Sequence, residues 1–336
     1  MMSKERWIYG VLALVLMLAL SIPAVSSGQV KAVNLRIADE LKPAEPPAVG
    51  ADVFASTVES LSNGKYKIAV YHKGELGTER ELIEQIRQGV VDFGGISTAP
   101  MATFAPSVNA LQLPFLQDSL ETIMKVSVAD LPQKVLGQVE ALGMKVLKLM
   151  DGGLRYMVTV RPVYTLNDVK GLKFRTAQNP MHMEIFAALG ASPTPMAYGE
   201  IYTGLQNKVI DGCENDIFGI TSQKFYEVAK NVTLTGHFSW PFMLVVSSKT
   251  WEKIPQEDRD FFLKGAQKAL ETSNKLMIES QSKLFQQIKD AKTNIIEISD
   301  AERAKFRKAV QPVYDKYAAD QAAKDFVAAV EKLKQK

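Results

Sequence analysis

Thiol chemistry has almost no material in this chain. Cys213 is the one cysteine in 336 residues, so no intramolecular disulfide can form and no Cys-x-x-Cys pair exists for redox or zinc chemistry. Histidine is nearly as scarce: His72, His182 and His237 lie far apart, with no second histidine or cysteine near any of them. There is no G-x-S-x-G elbow, no glycine-rich phosphate loop and no HExxH helix, so hydrolase, nucleotide and zinc-protease chemistry have no constellation to stand on. Cys213 with a remote histidine could be read as nucleophile and base, but a small buried hydrophobe is the better reading. His72, beside Tyr71 at a strand end, reads as a surface residue. Neither sign of charge prevails: 40 Lys and Arg against 37 Asp and Glu leave +3 at pH 7, with no basic run, which argues against a nucleic-acid partner. No internal repeat or low-complexity linker is present.

Long apolar runs are also missing, except one at the start, MMSKERWIYGVLALVLMLALSIPAVSSGQVKA. Lys4 and Arg6 precede apolar residues from Trp7 to Leu20, and small residues follow around Ala24 to Gly28. These are the three parts of a secretory signal. The apolar core is shorter than the ~20 residues of a spanning helix. The expectation is a signal peptide over residues 1–27, cleaved near Ser26 or Ser27, and a mature protein exported to the periplasm. What remains is long enough for two domains.

The rest of the chain alternates strand and helix. NLRIA reads as a first strand, AVGADVFASTVESLSNG as a helix closed by Ser62-Asn63-Gly64, and YKIAVY as a second strand. Thr78 and Glu81 form a capping box opening GTERELIEQIRQG, Gly89 stops it, and VVDFGGI is a third strand. This β-α-β-α-β order implies a parallel sheet covered on both faces. A second cycle follows: KVLKLM and RYMVTV as strands, GLKF leading to Arg175, a helix from Asn179-Pro180 to Gly190, another over YGEIYTGLQNK, and a short strand VID. FMLVVSS should return to the first sheet. From Pro255 to about Ala291 a helix of about 37 residues, ~55 Å at 1.5 Å per residue, is too long for one small domain and should run across both. Ser299 and Glu302 read as another capping box, opening a helix that Pro312 should kink.

Two α/β lobes joined by strands that cross more than once make a hinged clam, with the binding site in the cleft. The expected division is 28–153 plus about 241–280 for the first lobe, 154–240 plus about 281–310 for the second, and 311–336 as a helical tail. Arg175 stands where a strand leaves its sheet, the place where open α/β sheets bind ligands. Its planar fork of donors matches a carboxylate, although a structural ion pair with a glutamate is equally compatible with the local sequence.

The stretch from Leu166 to Asn215, LNDVKGLKFRTAQNPMHMEIFAALGASPTPMAYGEIYTGLQNKVIDGCEN, resembles the signature of the solute-binding proteins of TRAP (tripartite ATP-independent periplasmic) transporters. GELGTERELIEQIRQGVVDFGGI, LPFL and GGLRYMVTVRPV match the same family in order, so that the resemblance covers about residues 33–300. It implies the two-lobed periplasmic binding protein fold, no cofactor, no catalytic or metal residues, and a monomer that delivers a small organic acid to the small and large membrane subunits of a permease. By the resemblance, Arg175 is the arginine that forms a bidentate salt bridge with the ligand carboxylate, Arg155 a second basic residue supporting it, and Asn215 a hydrogen-bond donor to it. Tyr198 corresponds to an aromatic wall of the pocket, or else to helix-packing core. In the opposite lobe Glu40 and Ser97 correspond to ligand-facing positions, with Glu75 and Glu79 flanking the Leu76-Gly77 turn nearby. Trp240, at the return crossing, could stack on a ligand or pack the hinge.

Lys208 where glycine is common, Cys213 where a polar residue is common, and Asp216 in place of the usual proline depart from the family pattern. If Glu40 faces the far end of the ligand, a second ligand carboxylate is repelled, and a hydroxylated monocarboxylate such as a sugar acid or hydroxy acid is expected. If Lys42 points inward instead, a C4-dicarboxylate fits. A secreted two-domain enzyme and a ligand sensor are the rival readings.

Overall fold

The computed structural model describes residues 32–129 and 133–335. The export-signal reading, on residues 1–27, lies outside the described residues. Among the described residues no helix is long and apolar enough to cross a membrane.

Short apolar runs alternating with capped helices build two sheets. In the first, β1 (Val33–Ala38), β2 (Tyr66–Tyr71) and β3 (Phe93–Ser97) run parallel, as the intervening helices Pro46–Leu61 and Glu79–Gln88 require. The Thr78–Glu81 capping box is formed, and Gly89 ends its helix in the left-handed conformation at φ 73°. β4 is Met144–Leu154, and β10 (Ser239–Ser247) inserts antiparallel between β3 and β4, giving the order β2-β1-β3-β10-β4. Every residue of β10 is buried, which accounts for the apolar run from Trp240 to Val246.

The second sheet holds β5 (Tyr156–Thr159), β6 (Lys173–Thr176), β7 (Ser192–Pro195), β8 (Gly212–Asn215), β9 (Asn231–Thr233) and β11 (Asn294–Ile296), in the order β11-β9-β5-β8-β6-β7. The architecture is thus the expected two-lobed α/β fold. The expected strand VID is displaced, because Lys208 turns the chain at φ 59° and pairing starts only at Gly212. That left-handed turn also explains why a glycine would serve at Lys208. β7, with two prolines, does not read as a strand; it is tolerated because it lies at an edge, paired to β6 alone.

The chain passes between the lobes at the β4–β5 junction, again before β10, and along the helix Arg259–Asp290. The first two crossings lie side by side, Arg155 N donating to Phe238 O at 2.9 Å. The long helix has 32 residues rather than 37, because a 3-10 turn, Gln256–Asp258, precedes it. Phe262 near its start stacks on Phe93 at 5.6 Å and meets Tyr66 edge-on at 5.0 Å in the first lobe. Met277 and Ile288 belong to the second lobe's core. Gly265 permits the close approach to the helix Pro46–Leu61, since a Cβ there would lie 2.9 Å from Val58 Cγ2.

Pro312 lies inside the helix Asp300–Tyr317 and does not end it. A further helix, Gln321–Lys334, capped by Asp320, returns to the first lobe, where Lys125 Nζ reaches Leu333 O at 3.4 Å.

Candidate binding site

β6 ends at Thr176, with Arg175 in register with Cys213 of β8. The Arg175 side chain is buried, and its Nε and Nη2 both donate to Met196 O, at 3.1 and 2.8 Å. Nη1 stands 3.6 Å from Glu214 Oε1, too long for a hydrogen bond, so the outer edge of the fork faces the cleft with donors to spare. Burial pushes this guanidinium below its ordinary pKa, opposed by Glu214.

Arg155 is committed differently. Its Nε donates to Glu214 Oε2, Nη1 to Asp216 Oδ2 at 2.8 Å, and Nη2 to Glu214 O at 3.0 Å. Burial opposes its charge, but the two carboxylates more than offset this and hold its pKa above the ordinary value. Trp240 covers it, with the guanidinium 5.2 Å from the ring centroid. Gly152 makes room for that indole: a Cβ there would sit 2.1 Å from Trp240 Cε3.

Asp216, the departure from the family's proline, caps the helix Ile217–Ser222 by accepting from Gly219 N at 2.9 Å, while also pairing with Arg155. Asn215 is fully buried and lies outside the cavity wall. Its Oδ1 accepts from Asp216 N at 2.9 Å, and its Nδ2 has no partner among the described residues.

The first lobe contributes carboxylates. The helix starting at Glu79 brings that side chain under β3, where it accepts from Ser97 N and, at 2.8 Å, from Ser97 Oγ. Ser97 therefore faces the cavity with its hydroxyl tied to Glu79. Burial, then the neighbouring charge of Glu40, pushes Glu79 up to about 8, and burial raises Glu40 as well. Glu40, Glu79, Ser97, Arg155, Arg175, Tyr198 and Trp240 line one cavity of about 410 Å³. Seven of the eight residues expected at the site thus meet there, and Asn215 does not. Glu75 is exposed and takes no part in the wall.

The bacterial extracellular solute-binding protein family 7 model matches residues 37–321. The chain belongs to this family. A solute-binding protein of Chromohalobacter salexigens is 32% identical over 276 residues, 82% of each chain. The sugar acid binding protein of Advenella mimigardefordensis, solved with galactonate, superposes with TM-score 0.86 at 28% identity, covering 90% of this chain and 99% of that one. A TRAP periplasmic solute binding protein from Polaromonas, bound to D-erythronate, gives 0.84 at 34% identity, with 89% and 98% covered. The protein is a solute receptor of the TRAP type.

Several residues that position the receptor's site escape sequence reading. Glu45, just before the helix Pro46–Leu61, accepts from Ser222 Oγ at 2.8 Å and from the Tyr198 hydroxyl at 3.2 Å, both in the other lobe. Burial, then the charge of Asp216, raises it to about 7. Lys42 donates to Ser222 O at 3.0 Å, so it points across the cleft mouth and Glu40 alone faces inward. Asn179 Nδ2 bonds Ala99 O at 2.9 Å and Asn109 Oδ1 at 3.0 Å, closing the lobes on another side.

Tyr198 serves both readings made of it, lining the cavity and packing edge-on against Phe225 at 6.3 Å. Glu214 had an available signal, a carboxylate within a fully buried strand, which demands a cationic partner. Cys213 is buried as expected, its thiol raised to about 12 by burial. His72 is not a surface residue: it pairs with the buried Asp39 at 2.9 Å, a carboxylate that needs a partner, and that hydrogen bond raises it to about 9.

Proposed function

We propose that this receptor closes on a hydroxylated monocarboxylate, a sugar acid or hydroxy acid, in the cavity between the lobes. The ligand carboxylate sits on the outer edge of Arg175, with Arg155 behind it, held in place by Glu214 and Asp216. The observation that carries this reading is the asymmetry of the cavity: donors of Arg175 unspent at one end, and the Glu40–Glu79 pair at the other. A second carboxylate would meet that pair in a poorly hydrated space, whereas hydroxyls can donate to it. The galactonate and D-erythronate carried by the Advenella and Polaromonas proteins are acids of this class.

The ligand is retained without turnover and handed to the small and large membrane subunits of a permease by a monomeric protein freed from its signal peptide near Ser26 or Ser27. Residues 28–153 with about 241–280, and 154–240 with about 281–310, move as the two lobes, with 311–336 as the tail. Binding sets the closed population.

Calorimetry with D-galactonate, D-glucuronate and succinate tests the reading. A sugar acid should bind and succinate should not. Arg175→Ala should lose about 30-fold to several thousand-fold in affinity, the effect of about 2–5 kcal/mol for an unpaired buried charge. Arg175→Lys should lose most of it, since a point charge cannot reproduce the fork. Unchanged affinity in both variants ends the carboxylate clamp, and tight succinate binding that survives Glu40→Gln ends the far-end assignment.

A further inference from the structure

We infer that His182 is a specificity-determining residue, its imidazole hydrogen-bonding the hydroxyl on the carbon next to the ligand carboxylate. This deepens the acid-receptor reading and rests on it. His182 comes from the first turn of the helix Pro180–Ala188, whose cap Asn179 accepts from His182 N at 3.1 Å and fixes the residue's position. The side chain is 2% exposed, lines the cavity, and has no hydrogen-bond partner at either ring nitrogen among the described residues. Its ring stacks on Phe238 at 4.6 Å with the planes 29° apart, which restricts the plane in which the nitrogens point.

A buried imidazole left unpaired is a cost in the empty protein that a ligand hydroxyl removes. Burial, despite Glu214, lowers the ring to about 4, so it is neutral at pH 7 and presents one donor and one acceptor, the complement of a hydroxyl. The charges that act on it are Glu214, Arg155 and Arg175, the residues of the carboxylate end. With the carboxylate on Arg175, the hydroxyl that reaches this end of the cavity is the one on the adjacent carbon.

The probes are D-galactonate and its 2-deoxy analogue, measured by calorimetry on the full protein. Wild type should bind galactonate about ten- to a hundredfold more tightly. His182→Phe, which keeps the stack on Phe238, should bring the two acids within about threefold by weakening galactonate alone. His182→Gln, which keeps a donor and an acceptor, should restore part of the difference. Unliganded His182→Phe should melt no lower than wild type, since it removes an unpaired polar ring. Equal binding of both acids by wild type, equal losses for both in His182→Phe, or a lower melting temperature of the empty variant would each overturn the assignment while leaving the acid receptor standing. Failure of wild type to bind any carboxylic acid would overturn both.

Discussion

Arg155 and Arg175 have the same side chain and serve differently because of what surrounds each. Arg155 spends three donors on Glu214 and Asp216 and becomes a fixed positive wall; Arg175 spends two on a single carbonyl and keeps its outer edge. The carboxylates divide in the same way. Glu214 is held below its ordinary range by Arg155 against the pull of burial, whereas Glu79, facing Glu40, is pushed up to about 8. At pH 7 Glu79 therefore holds a proton. Raising the pH through 8 ionises it and adds negative charge to a site that binds an anion. Affinity for the acid should accordingly fall between pH 7 and pH 9 in wild type and stay flat in Glu79→Gln. Calorimetry at both pH values checks this, and a parallel fall in the variant would place the titrating group elsewhere.

At the scale of elements, the hinge-side end of β4 matters most. Gly152 lies directly under Trp240, Asp151 accepts from Trp240 N at 3.3 Å, and Trp240 in turn covers Arg155. Gly152→Ala places a methyl group where the indole now lies, so the ring must move off the guanidinium. The fold should survive, because the change is one methyl at the border of the cavity. Affinity should fall about tenfold or more, with an altered tryptophan emission spectrum, the effect of over-packing by ~1–3 kcal/mol. Emission and affinity identical to wild type would show that Trp240 does not support the site. The helix caps at this scale were legible in the sequence: Thr78 with Glu81 and Asn179 before Pro180 form as read, whereas of the Ser299–Glu302 box only the Ser299 half forms, because the Glu302 carboxylate accepts from Leu166 N instead. β7 and the start of β8 were not, since an edge position and a left-handed turn at Lys208 depend on neighbours rather than on local pattern.

For the whole molecule, buried titratable groups set the pH at which it is most stable. Glu45, Glu79 and Asp151 are raised to about 7, 8 and 7, chiefly by burial, and His72 to about 9 by its bond to Asp39. Each binds its proton more tightly folded than unfolded, so its contribution is present below the unfolded pKa and lost as pH rises through the folded value. His182 and His237 are lowered by burial to about 4 and 3 and act in reverse, losing their contribution as pH falls below about 6.5. Above about pH 6.5 only the first group still titrates, and every member of it acts in one direction. The melting temperature of the unliganded protein should therefore decline steadily from pH 6.5 to pH 9. Glu45→Gln should flatten part of that decline, because the amide oxygen can still accept from Ser222 or Tyr198 across the lobes without a charge. A melting temperature that rises over this interval would contradict the burial of these groups.

The sequence by itself determined the strands and capped helices, the two α/β lobes, the overlong helix, the family, and the positions of both arginines. These follow from signals within a few residues of each other, periodicity, capping pairs and motif spacing, which act before any tertiary contact exists. Only the tertiary structure decided what each polar side chain faces. Glu40 points inward because Lys42 is drawn to Ser222 from the other lobe, and Glu45 becomes a link because Tyr198 and Ser222 arrive beside it. His182 lines the cavity with both ring nitrogens unpaired and its ring against Phe238, from the return crossing. Partners more than fifty residues away fix these orientations, and no local pattern in the chain encodes them.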